Sequence, residues 1–140
     1  MAPPLDLQLI LCDAAQADPA SGKVHMLGAG WSRTASPVTH AVVVLVKVPW
    51  ELLDRRIPLS LSLSAADGSV VSFDTPDGRR EIAADGEIGT GRPDDLPAGS
   101  CLDASFALNV SPLPLAPGRY SWRLRLAGET RYATFTVEAR

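Results

Sequence analysis

Residues 57 to 64 read "IPLSLSLS", and their alternation decides the fold class. Ile57, Leu59, Leu61 and Leu63 fall on one side of an extended chain, and Ser60, Ser62 and Ser64 on the other. A period of two is strand geometry; at 3.6 residues per turn the same side chains would scatter around a helix. The pattern recurs at 5 to 11 (Leu5, Leu7, Leu9, Leu11) and at 102 to 110 (Leu102, Ala104, Phe106, Leu108, Val110). It returns in "RYSWRLRL", where Tyr120, Trp122, Leu124 and Leu126 oppose Ser121, Arg123 and Arg125. Ala133, Phe135 and Val137 form the inward row of a last strand. Residues 118 to 138 therefore read as an antiparallel hairpin turned by "AGET", with Gly128 at the positive-φ position.

Turn signals separate these segments at intervals of roughly 8 to 12 residues, the spacing of an all-β sandwich or barrel. Asp67-Gly68 turns the chain into "SVVSF", while Asp77-Gly78 and Asp85-Gly86 mark further turns or bulges. Eight or nine strands are expected, near 5 to 12, 23 to 32, 39 to 48, 57 to 65, 69 to 73, 80 to 89, 101 to 110, 118 to 127 and 131 to 138. One short helical segment is expected in "PWELLDRR", 49 to 56, where Glu51 and Arg55 stand at i,i+4. The Gly/Pro-rich "GTGRPDDLPAG", 89 to 99, reads as the longest ordered loop. The fold class is all-β: a two-sheet antiparallel sandwich, immunoglobulin-like, forming a single domain over 1 to 140.

The 140 residues are 46% apolar and 21% charged, with a net charge of -3. That balance suits a soluble globular domain and argues against nucleic acid, whose affinity comes largely from neutralised phosphates. The N-terminus "MAPPLDLQLILC" does not read as a signal peptide, and "AVVVLV" at 41 to 46 is too short to span a bilayer. No membrane association and a cytoplasmic location are expected, with Cys12 and Cys101 as reduced thiols.

No catalytic or metal-ligating pattern emerges, so no cofactor, no metal and no enzymatic activity are expected. "LGAGWSRT", 27 to 34, lacks the strand–turn–helix setting of a dinucleotide loop: Arg33 occupies the third glycine's place, and Pro37 follows. Read as part of a strand, Gly28 and Gly30 lie on the face of Val24 and Met26 and leave a trough there; a bulge that re-aims Trp31 is the competing reading. His25 reads as a packed or surface side chain, and His40, beside Thr39 at a strand start, as solvent-facing. Asp74, Asp77, Asp85, Glu87, Asp94 and Asp95 read as solvated turn carboxylates.

The segments "LILCDAA" (9 to 15), "GKVHMLGAGWSR" (22 to 33), "VPW" (48 to 50), "GRPDDLPAGS" (91 to 100) and "PLPLAPGRYSWRL" (112 to 124) resemble a family of short bacterial proteins, mostly actinobacterial, of uncharacterised function. The resemblance implies a cytoplasmic β-domain and no catalytic residues. "PGRYSWRL" is also similar to the penultimate strand of immunoglobulin-like sandwiches, where the tyrosine packs at a corner.

Residues 41 to 48, "AVVVLVKV", are apolar on both faces until Lys47, so the second face must also be covered. Either the 49 to 56 segment folds over it or a second copy does. The expected function is a non-enzymatic interaction or scaffolding module that self-associates through this face or binds another protein, with Gly28, Gly30, Val43, Leu45 and Trp50 at the contact. The alternative is a small-molecule or carbohydrate-binding domain that uses Trp31, Trp50 and Arg92 of the 89 to 99 loop as a stacking platform.

Overall fold

Alternation becomes strand throughout the computed structural model, which describes residues 5–139. In chain order the strands are β1 (Asp6–Cys12), β2 (Ala14–Ala17), β3 (Val24–Leu27), β4 (Arg33–Ala35), β5 (Val38–Val48), β6 (Arg56–Ala65) and β7 (Ser72–Thr75). They continue with β8 (Gly78–Glu81), β9 (Ala83–Gly89), β10 (Leu102–Asp103), β11 (Phe106–Leu113), β12 (Gly118–Leu126) and β13 (Glu129–Glu138). One antiparallel sheet has β5 at its centre, with β1 on one side and β10 followed by β11 on the other. The second has the order β4-β13-β12-β6-β9 and is antiparallel except for the β4–β13 pair. The protein is all-β and sandwich-like, as the alternation requires.

The strand β5 feeds two cores. Its even positions, Val38, Val42, Val44, Val46 and Val48, pack with Leu61, Leu63, Trp122, Leu124, Phe135 and Val137 of the facing sheet. Full burial of such a side chain contributes about 1.5–3 kcal/mol, so this layer is the main source of stability. Its odd positions Ala41 and Val43 are fully buried with Cys12 in a second, smaller cluster. Over Ala41 and Val43 the cover is not the 49 to 56 segment. It is the chain's own β2–β3 hairpin, which sets Ala15, Val24 and Met26 against the cluster. The Asn109 amide locks the hairpin across the sheet: its Nδ2 donates to the Ala15 carbonyl at 2.8 Å, and its Oδ1 accepts from the Ala15 N–H at 3.2 Å.

Other segments depart from the expected boundaries for local reasons. Residues 49 to 56 make only a 3-10 turn, Trp50–Leu52, because Leu53 is extended and Asp54 has a φ of 65°. Residues 23 to 32 do not form one strand: β3 stops at Leu27, and Gly28 and Gly30 take φ of 67° and 90°. Residues 69 to 73 reach back to β6 only through a Ser64–Val70 bridge before the β7–β8 hairpin leaves the sheet. Asp85-Gly86 is neither turn nor bulge but lies mid-strand, opposite Ser60 and Leu59. Residues 101 to 110 are interrupted at Ser105, whose hydroxyl accepts the Val46 N–H.

The hairpin predicted over 118 to 138 is present, with Leu126 paired to Glu129. Both loop residues take positive φ, Ala127 at 52° and Gly128 at 79°, the signature of a type I′ turn. Gly128 accepts this freely, whereas Ala127 is strained by its Cβ. Ala127→Asn supplies the side chain that type I′ turns favour. It is expected to stabilise the protein by about 1 kcal/mol, a rise of roughly 3 °C in the thermal unfolding midpoint measured by circular dichroism.

Candidate functional site

The two lateral sides of the sandwich differ. On one, β1 and β13 are tied together by Arg131, whose guanidinium donates to the Leu5 and Leu7 carbonyls at 3.3 Å, and β4 extends the sheet there. On the other, β9 and β11 are both edge strands, and a seam lies open between them.

Register identifies what faces this seam. Leu59 pairs with Gly86 and Leu61 with Ala84, so Ala84 and Gly86 point inward on β9. Leu108 pairs with Val42 and Val110 with His40, so both point inward on β11. Inward positions of a sandwich are normally dry, yet Ala84 and Gly86 are exposed and Leu108 is 38% exposed. A cleft of about 540 Å³ runs beside Leu59, Gly86, Ile88, Ser105 and Phe106. Along the same two strands a second, of about 350 Å³, is lined by Ile82, Ala84, Leu108, Val110 and Trp122. The charged residues at the rims, Glu81, Glu87 and Asp103, are all acidic and exposed. Two have exposed partners: Asp103 stands 3.7 Å from Lys47, and Glu87 stands 4.0 Å from Arg56.

The residues singled out from the sequence do not gather into one surface. Gly28 and Gly30 form no strand trough; a Cβ on Gly28 would overlap the Asp13 carboxylate, while the Gly30 N–H donates to the Leu11 carbonyl at 3.0 Å. These glycines turn the chain from the hairpin back toward β1. Val43 is fully buried under the hairpin, and Leu45 is half-buried beside it. Trp50 and Arg92 do meet: the guanidinium lies 4.1 Å from the indole centroid, and its Nη2 donates to the Trp50 carbonyl at 2.8 Å. The Arg92 backbone N–H is held by Asp54 Oδ1 at 2.8 Å, so one face of Trp50 is already occupied by its own loop. Trp31 packs edge-on against Phe135 and His40 instead. His40 and Val48 are separated by roughly 26 Å of extended strand, so Trp31 and Trp50 sit at opposite ends of β5. The seam leaves no mark in the sequence of β11, because Leu108 alternates like any core position. The available signal was the absence of a strand-like segment between Gly89 and Leu102.

His40 is not solvent-facing but 1% exposed, and its Nε2 accepts the Trp122 Nε1–H at 2.9 Å. That bond requires a neutral ring protonated on Nδ1. Burial lowers the His40 pKa, opposed in part by the Val38 carbonyl. The unfolded chain takes up a proton near pH 6.5 that the folded protein refuses. His40 therefore favours the folded state fully above about pH 6.5, and that contribution is lost as pH falls through the lowered native pKa. His40→Gln keeps an acceptor for Trp122 without titrating, so urea unfolding of this variant is expected to lose the wild type's decline in stability below pH 6.5. Burial, reinforced by Asp13, likewise pushes the Cys12 thiol up, which leaves it protonated and unreactive.

Fold and seam together define a β-sandwich with one open lateral side. Over residues 7–138 the chain matches, and belongs to, the family described as "Family of unknown function (DUF6941)". No curated protein matches it.

Proposed function

We propose that this protein is a non-enzymatic recognition module whose binding surface is the seam between β9 and β11. One observation carries the reading: Leu108 points inward yet is 38% exposed, across from exposed Ala84 and Gly86. Burying a leucine fully is worth about 1.5–3 kcal/mol, so a chain that filled the seam would gain part of that energy. This reading takes the sandwich as immunoglobulin-like, an architecture that hosts many binding domains, with the β1-β5-β11 sheet over one in which β4 runs parallel to β13. The Tyr120 hydroxyl, donating to the Ala116 carbonyl at 2.7 Å, makes the corner contact of such sandwiches. The setting belonging to this reading is the bacterial cytoplasm, with Cys12 and Cys101 as free thiols. A small-molecule or carbohydrate role relied on Trp31, Trp50 and Arg92 acting jointly, which their separation does not favour.

The test compares two arginine substitutions. Leu108→Arg lies in the seam; Leu27→Arg lies on the hairpin, where Leu27 is 71% exposed. Both are expected to fold, with stabilities within about 1 kcal/mol of wild type. A host protein that co-purifies with wild type and Leu27→Arg, but is depleted at least tenfold with Leu108→Arg, supports the seam. Equal retention by both variants refutes it.

A second reading, self-association through the outer face of the β1-β5-β11 sheet, is favoured by Ile10, Leu45 and Ala107, which stay half-buried beside the hairpin. On that reading light scattering finds a wild-type dimer that Leu45→Glu converts to monomer, and a monomeric wild type ends it.

A further inference from the structure

We propose that the seam is completed by an extended segment of a partner protein, alternating bulky apolar and basic residues, which pairs with β9 as a sixth strand of the larger sheet. The proposal rests on the seam being the binding surface. Three features of β9 specify the occupant. Among the described residues β9 pairs only with β6, so its outer edge presents backbone donors and acceptors to a new strand. Its inward positions Ala84 and Gly86 are small, and the facing wall carries Phe106, Leu108 and Val110. A strand laid against β9 places every second side chain between those walls, where large apolar groups fill the space.

Charge sets the remaining positions. Asp85 and Glu87 lie on the outward face of β9, opposite Ser60 and Pro58. Cross-strand neighbours of opposite charge attract and like charges repel, so the incoming strand's outward side chains are lysine or arginine. Phe106–Leu113 carries no charged residue, so β11 does not oppose this preference. The same logic disfavours a second copy. Two β9 strands paired about a twofold axis would set Asp85 and Glu87 of one copy against those of the other. The larger sheet already accepts one strand of the required pattern: in β12, Tyr120, Trp122, Leu124 and Leu126 alternate with Arg119, Arg123 and Arg125. With seven residues in β9, the matching segment is about seven or eight residues long.

The experiment titrates the full chain with two blocked synthetic octapeptides, one alternating lysine and valine and one alternating glutamate and valine. The Lys–Val peptide is expected to bind at least tenfold more tightly, to shift the Leu108 methyl resonances and to slow amide exchange along Ala83–Gly89. In Asp85→Lys/Glu87→Lys, an exposed pair of changes, the preference is expected to reverse. Ala84→Tyr, which fills the space from the β9 side, is expected to weaken Lys–Val binding at least tenfold while the thermal midpoint confirms folding. Binding that moves Leu108 but leaves β9 amide exchange unchanged overturns strand addition while the seam reading stands. Binding indifferent to the charge swap overturns the basic partner. Protection of β9 amides by dimerisation without peptide assigns the edge to a second copy and overturns the proposal. Absence of any effect at Leu108 overturns it too, and the comparison of Leu108→Arg with Leu27→Arg then decides the seam reading separately.

Discussion

A strand that is apolar on both faces must be dried on both, and β5 imposes that requirement on the rest of this chain. The facing sheet dries its even positions. Its odd positions Ala41 and Val43 are dried by the β2–β3 hairpin, inserted between β1 and β4. Having crossed the outer face, the chain must come back, and it does so at Gly28 and Gly30, both at positive φ. The return brings Trp31 to the end of the core and delivers β4 to the edge of β13. Cover, glycines and edge pairing thus follow from one hydrophobic run.

Among the described residues His40 is the one buried polar side chain, and its Nε2 is satisfied within the core while its Nδ1 has no hydrogen-bond partner. It occupies an even position of β5, inward among valines, and its acceptor nitrogen takes the Trp122 indole N–H, while the Trp31 indole packs beside it with its own N–H unpaired. The Trp31, Trp122 and Phe135 rings around it, with Tyr120 stacked on Phe135, make an aromatic cluster at the end of the sandwich where β4 and β5 join. This end is pinned by directional contacts, whereas the Trp50 end is held by Arg92 and Asp54.

Alternation made the long strands legible because period two is a local property: "IPLSLSLS" and "RYSWRLRL" carry their own orientation. The need to cover "AVVVLVKV" was legible too, but not its cover, since "AAQA" and "VHML" are too short to announce a hairpin that crosses a sheet. His40 misled because a histidine beside Thr39 carries no mark of the Trp122 donor 82 positions away. Gly28 and Gly30 misled because a glycine in a strand pattern and a glycine at a left-handed turn read alike until the partner, here Asp13, is known. The seam was invisible for a different reason. It is defined by a strand that is missing.

Why that strand is missing can be argued from chain length. The loop from Thr90 to Cys101 leaves β9 at Gly89, opposite Arg56, and re-enters at Leu102, opposite Val48. Both points flank the 49 to 55 turn, at the same end of the sandwich. A strand laid along the free edge of β11 would have to run to the far end and back, on the order of 50 Å for an eight-residue strand. Twelve residues reach at most about 43 Å when fully extended. Arg92 stacked on Trp50, its N–H on Asp54, and the Asp54 N–H on the Thr90 carbonyl then hold the loop at its own end. Pro93 and Pro97 further remove two backbone donors that a strand would need. The open side is therefore a consequence of covalent reach and three local anchors, so only a segment from outside this loop can pair along β9 and fill the space over Leu108.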